Sequence, residues 1–163
     1  MCSFFLAVLS DLLTSPSCQT PPSEPLPGLP SFIKRGPVEE NYSVLSHIIG
    51  MGQFTVVREA FNHQTNQKCA VKKVTNKMLG CNEAELLKQL DHPHIVKFFD
   101  AFELENSVML MMELVSEGEL LEYIVSKDNL TEAVCVRYLT QLLHALDYLS
   151  QKNIVHLDIK VRV

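Results

Sequence analysis

From Tyr42 to Lys73 the apolar residues come in short clusters, Val44-Leu45, Ile48-Ile49, Val56-Val57 and Ala70-Val71, with polar breaks at Gly50 to Gln53 and Asn62 to Gln67. That alternation predicts three antiparallel strands joined by short turns. Glu83 to Leu90 changes period and sets Leu86, Leu87 and Leu90 on one side of a helix, which Pro93 limits. Val96 to Phe99 and Ser107 to Met112 return to strand, the second so continuously apolar that it reads as central and buried. Thr131 is placed to cap the longest helix, in which Cys135, Leu139, Leu142, Leu146 and Leu149 recur at helical spacing up to about Gln151. Five strands and two main helices in this order predict an α+β fold without internal repeats.

The N-terminal part follows other rules. Seven of the eight prolines fall between Pro16 and Pro37, a density that excludes ladders and helices and predicts an extended linker. Pro22 to Pro25 and Pro27 to Pro30 match a PxxP spacing, but no basic residue follows at once to fix orientation, so they read as linker. The apolar run Phe4 to Leu9 is cut by Ser10 and Asp11 and has no Lys or Arg before it. It is far shorter than the roughly 20 residues that span a bilayer, and reads as a tail or short helix rather than a signal or an anchor. The expected division is a disordered Pro-rich tail over 1–38, a folded part over 39–115 and a second over 116–163.

At 163 residues and 47% apolar the chain can bury a core. A net charge of −5 gives it no basic footprint for nucleic acid or an acidic membrane. Five cysteines without Cys-x-x-Cys spacing suit free thiols in a reducing, cytoplasmic setting. His92-Pro93-His94 brings two imidazoles close, but no third ligand stands nearby, so it reads as a structural turn and no metal residue is assigned.

Candidate chemistry starts at Gly50-Met51-Gly52, between two expected strands. Glycines at this spacing let backbone amides approach phosphate oxygens, with Phe54 able to cap the loop and Val57 to cover an apolar ring. A dinucleotide-binding turn would need a third small residue and a helix. Thr55 and a strand stand there instead. On the next strand lies Ala70-Val71-Lys72, and 11 residues beyond Lys72 comes Glu83. A sheet lysine can neutralise nucleotide phosphates only if its flexible stem is held, and a helix carboxylate within reach would hold it.

The order of these pieces is the informative feature: glycine loop, Ala-x-Lys strand, Glu helix, His-Pro turn, apolar strand ending in Glu113, long helix, then His156-Leu157-Asp158-Ile159-Lys160. From Tyr42 to Lys160 the chain resembles the protein kinase superfamily. Met112-Glu113-Leu114-Val115 with Gly118-Glu119-Leu120-Leu121 resembles the hinge region of serine/threonine kinases, in the calmodulin-dependent, death-associated and myosin-light-chain group. The resemblance implies a kinase-like small lobe, a five-stranded antiparallel sheet plus the αC helix carrying Glu83, followed by the first helices of an incomplete large lobe.

It also implies roles. ATP would bind with Ile49, Val57 and Ala70 around the adenine, Met112 as gatekeeper, the backbone of Glu113 and Val115 on the adenine edge, and Glu119 at the ribose. Gly50, Gly52 and Phe54 would cover the phosphates, and Lys72, held by Glu83, would contact them. Asp158 would accept the proton of a protein hydroxyl and Lys160 would neutralise the transferred group, while His156 organises the loop. Two departures stand out: Leu157 where many kinases carry Arg, which removes a grip on a phosphorylated activation loop, and Thr55 in place of the third loop glycine.

After Lys160 the sequence reads Val161-Arg162-Val163, without the Asn and the Asp-Phe-Gly that hold Mg2+ in the family. The expectation is a truncated kinase that is inactive as this chain, its leucine-rich long helix left short of partners. The alternative is a non-catalytic module that binds nucleotide or pairs with another kinase. An unrelated nucleotide-binding enzyme fails on the order of motifs. Expected partners are a protein substrate and a regulatory or partner protein, with no nucleic acid and no membrane span.

Overall fold

The computed structural model describes residues 30–115, 131–156 and 159. These fall in two compact units, one of residues 30–90 and 97–114, the other of 91–96 and the described residues from 115 onward.

The first unit is a sheet with one helix. Its strands are β1 (Lys34–Arg35), β2 (Tyr42–Gly52), β3 (Thr55–Asn62), β4 (Gln67–Val74), β5 (Phe98–Glu103) and β6 (Val108–Glu113). Their order is β1-β5-β6-β4-β3-β2. The expected five-stranded antiparallel sheet is β2 to β6, and β6 lies inside it between β5 and β4, with Val108, Leu110 and Met111 fully buried. The sixth strand, β1, was not expected. It adds two residues in parallel to β5, pairing Lys34 with Phe102 and Arg35 with Glu103.

β1 moves the start of the folded part back from residue 39. Ile33 and Val38 are buried, Val38 from a short 3-10 turn over Val38–Glu40. Val38, Tyr42, Cys69, Val71, Phe102 and Met111 form the core on one face of the sheet. There the Tyr42 hydroxyl donates to Asp100 Oδ2 at 2.6 Å, and Lys34 Nζ stands 2.7 Å from Asp100 Oδ1. The prolines hid these two apolar anchors, which lie on either side of Gly36-Pro37, and the Pro-rich stretch before residue 30 lies outside the described residues.

The hairpins follow local chemistry. Gln53 and Phe54 connect the paired Gly52 and Thr55. Between β3 and β4, Asn62 Oδ1 accepts from the amides of Gln64 and Thr65, and Asn66 adopts a left-handed conformation (φ 55°), which asparagine tolerates.

The helix α1 (Lys77–Lys88) begins six residues before the expected Glu83. Asn76 caps it, accepting from the Leu79 amide at 3.1 Å. Gly80 and Cys81 disguise its first turns as non-helical. Gly80 is required by packing. A Cβ there would lie 2.8 Å from Val108 Cβ and 3.3 Å from Val74 Cβ, so the helix backbone rests directly on β4 and β6.

The second unit contains α2 (Glu132–Gln151), capped by Thr131, whose Oγ1 accepts from the Val134 amide. Its burial differs from the expected stripe. Tyr138, Ala145 and Leu149 are buried and Leu142 and Leu146 half-buried, whereas Leu139 is exposed. Val136, Leu139 and Leu143 form an open apolar stripe, 54%, 57% and 62% exposed. In the same unit the His92 ring stacks on Tyr148 at 5.1 Å, the Tyr148 hydroxyl accepts from the Asp91 amide, and His92 Nδ1 accepts from the His94 amide.

Candidate nucleotide site

Directly paired strand residues share a face of a sheet, and alternate residues of a strand return to it. Gly50 pairs with Val57, Val57 with Lys72, Ala70 with Met112 and Lys72 with Leu110. The register therefore brings Gly50, Val57, Ala70, Lys72 and Met112 to one face, opposite the Tyr42 core. Val74 and Val108 lie on this face too, and α1 covers them.

α1 brings Glu83 to the lysine. Lys72 Nζ lies 2.7 Å from Glu83 Oε1 and 2.9 Å from Oε2, with side-chain exposures of 3% and 9%. Ala70 beside it is buried, Val57 and Met112 are half-buried, and Ile49 stays exposed at an irregularity in the β2 register. A fixed cation next to an apolar surface, with a glycine hairpin on the neighbouring strands, suits a ligand that joins a planar apolar part to anionic oxygens.

The hairpin tip is tied down. The Phe54 carbonyl accepts from the Thr75 amide at 2.9 Å and from Thr75 Oγ1 at 3.1 Å, while the Phe54 ring and Met51 are exposed. Thr55 crowds the second glycine: a Cβ on Gly52 would meet Thr55 Oγ1 at 2.6 Å. Glycine at 52 thus accommodates the unusual threonine.

At the end of β6, the Glu113 amide donates to the Lys97 carbonyl at 2.8 Å, and Glu113 Oε2 accepts from the Lys97 amide at 3.2 Å. Val115 is half-buried, as is His156. Glu119, Leu157, Asp158 and Lys160 lie outside the described residues. Among the described residues no group of three or more His, Cys, Asp or Glu could hold a metal ion, and no helix is long and apolar enough to cross a membrane.

Sequence reading missed the supports around this site: the Asn76 cap, Gly80, Thr75 and the charges at the ends of α1. Lys77 Nζ is paired with Glu103 Oε1, and Arg35 Nε lies 2.9 Å from Glu103 Oε2. The Lys77 hydrogen bond, then burial opposing it and Arg35, act on the Glu103 carboxyl, with a net shift below the usual carboxylate range. The one local signal for the helix start was Asn76, a residue type that caps helices, and the glycine behind it obscured that signal. The Arg35 to Glu103 pairing, 68 residues apart, carried no local signal.

A six-stranded sheet backed by one helix, with a lysine-glutamate pair beneath a glycine hairpin, defines a kinase-like small lobe. The protein kinase domain family matches residues 43–162, and the chain belongs to that family. Among similar proteins, a probable myosin light chain kinase of Dictyostelium discoideum is 35% identical over 130 residues, covering 76% of this chain and 41% of that protein. Death-associated protein kinase 2 of Mus musculus is 30% identical over 145 residues, covering 82% and 39%. The hormonally up-regulated neu tumor-associated kinase of Mus musculus is 34% identical over 130 residues, covering 74% and 18%. These relatives include the group to which the hinge residues pointed. The crystal structure of Rad53 1-466 in complex with AMP-PNP superposes with a TM-score of 0.67 at 28% identity, covering 76% of this chain and 34% of that one. The chain thus spans less than half the length of each of these relatives.

Proposed function

We propose that this chain is the ATP-binding part of a serine/threonine protein kinase, a family that transfers the γ-phosphoryl group of ATP to protein hydroxyls. The observation that carries this reading is the buried Lys72–Glu83 pair on the sheet face shared by Gly50, Val57, Ala70 and Met112. The likeness to a structure solved with AMP-PNP supports the same ligand class.

In this reading Glu83 holds the Lys72 ammonium against the α- and β-phosphates, where a free lysine would sample many rotamers. Val57 and Ala70 cover the adenine with Ile49, beside Met112. The Glu113 amide is committed to Lys97, so the adenine contact expected of its backbone falls to its carbonyl, with Val115 beyond. Gly50 and Gly52 bring the hairpin backbone over the phosphates under Phe54. Glu119 at the ribose, Asp158 as proton acceptor and Lys160 as charge neutraliser complete the assignment by family.

Magnesium supplies charge neutralisation on the nucleotide phosphates in this family. No acidic cluster among the described residues fits it, and its ligands are not assigned. Cys69, Cys81 and Cys135 are free thiols, which supports a reducing cytosolic location.

Calorimetric titration of the chain with ATP and magnesium tests the reading. Saturable binding lost by at least tenfold in Lys72→Met supports it, and equal affinity in wild type and Lys72→Met overturns the site. A transfer assay on a generic serine-containing peptide, with Asp158→Asn as control, separates a kinase from a module that only binds nucleotide.

A further inference from the structure

Two residues shortly before the family-matched region reach the ends of α1, Phe32 directly and Arg35 through Glu103 of β5. At the C-terminal end, Lys88 Nζ stands 4.0 Å from the Phe32 ring centroid, within cation–π range. Phe32 in turn packs edge-on against Phe98 of β5. At the N-terminal end, Lys77 and Arg35 share the Glu103 carboxylate, one on each oxygen. Between these contacts Ile33 is buried, and Lys34–Arg35 run as β1 along β5.

α1 needs such support. Its first turn carries Lys77 and no acidic residue, so a cation stands at the positive end of the helix dipole. Glu103 supplies the missing negative charge from β5, and Arg35 keeps that carboxylate in place. The helix rests its backbone on the sheet at Gly80 and buries Ala84 and Leu87, and the terminal contacts contribute to its angle as well as its stability. Any rotation or outward shift of α1 moves Glu83 away from Lys72.

We propose that Phe32–Arg35 is an intramolecular strap that positions α1, and that through α1 it sets the Lys72–Glu83 pair and the affinity of the site for a nucleotide polyphosphate. The last clause rests on the nucleotide-binding reading. The strap's effect on the helix does not.

Isolated surface pairs contribute little to stability, so a single charge deletion is a weak probe. The test is therefore a combined variant, Phe32→Ala with Arg35→Glu, in the full chain, read by amide hydrogen exchange and by calorimetric titration with ATP and magnesium. Expected are exchange at least tenfold faster across residues 77–88, unchanged exchange in β3 and β4, and severalfold weaker ATP binding.

Unchanged exchange in α1 overturns the strap. Faster exchange throughout the sheet overturns it as well, since the segment would then stabilise the whole unit rather than position one helix. Faster exchange in α1 with unchanged ATP affinity overturns the coupling. If the wild-type chain binds no ATP, the nucleotide reading fails, and the α1 exchange alone decides the strap.

Discussion

Lys72 and Glu83 meet through both carboxylate oxygens, at 2.7 and 2.9 Å, with each side chain more than nine-tenths buried. Such a pair is worth little compared with apolar residues of the same shape, yet removing one partner takes from the other buried charge its bidentate ion pair. Glu83→Leu and Lys72→Met should each cost on the order of 3 kcal/mol, and the double variant less than their sum. Chemical denaturation of all four proteins checks this. Additive losses would mean that the two charges are held independently.

Gly80→Ala opposes two effects. Alanine gains up to about 1 kcal/mol of helix propensity. Its Cβ would stand 2.8 Å from Val108 Cβ, and overpacking of this kind costs about 1–3 kcal/mol. The clash involves a β-branched side chain on an inner strand, which has little room to retreat, so net destabilisation is expected. A melting temperature at or above wild type would contradict the direct seating of α1 on β6.

Burial first, and then the hydrogen bond to Asp100, push the Tyr42 phenol well above its usual range. A raised value in the folded state means stability that is complete below the unfolded value, about 10, and is lost as pH rises past it, because only the unfolded chain then ionises. Wild type should lose stability between about pH 9.5 and 11 more steeply than Tyr42→Phe. At neutral pH the same substitution should cost about 1–2 kcal/mol. Parallel pH curves would remove Tyr42 from the alkaline transition.

His92 has the opposite sign. Burial, followed by the nearby His94 and His144, holds its imidazole below the usual value. Its contribution is present above about pH 6.5 and is lost as pH falls, since the unfolded chain takes up the proton first. His92→Asn, which keeps an acceptor for the His94 amide, should flatten the fall in stability between about pH 7 and 5. Urea denaturation at a series of pH values reads this slope.

On α2, Val136, Leu139 and Leu143 present an open apolar stripe. Replacing Leu139 and Leu143 with Lys and Glu should raise the solubility of the 163-residue polypeptide and change its stability by no more than about 0.5 kcal/mol per site. A cooperative loss of folding would show that the stripe is covered in solution.

The strands were legible because short apolar clusters rich in β-branched residues are separated by polar breaks, of which Asn62 to Gln67 carries turn chemistry. The Lys72–Glu83 partnership was legible from motif order rather than from either residue. The start of α1 was not, because Gly80 and Cys81 weaken the local helix signal, while the reason for a glycine there lies on β6. β1 was hidden by the prolines around it and depends on Phe102 and Glu103, far away in sequence. The catalytic-loop assignments at Asp158 and Lys160 stand on motif alone.

Thr75 sits one residue before the Asn76 cap and holds the Phe54 carbonyl with both its amide and its hydroxyl. One short joint therefore carries the tip of the glycine hairpin on one side and the onset of α1 on the other. A downward swing of the hairpin onto a phosphate either breaks those two bonds or drags the root of the helix with it, so the hairpin and the helix share a pivot.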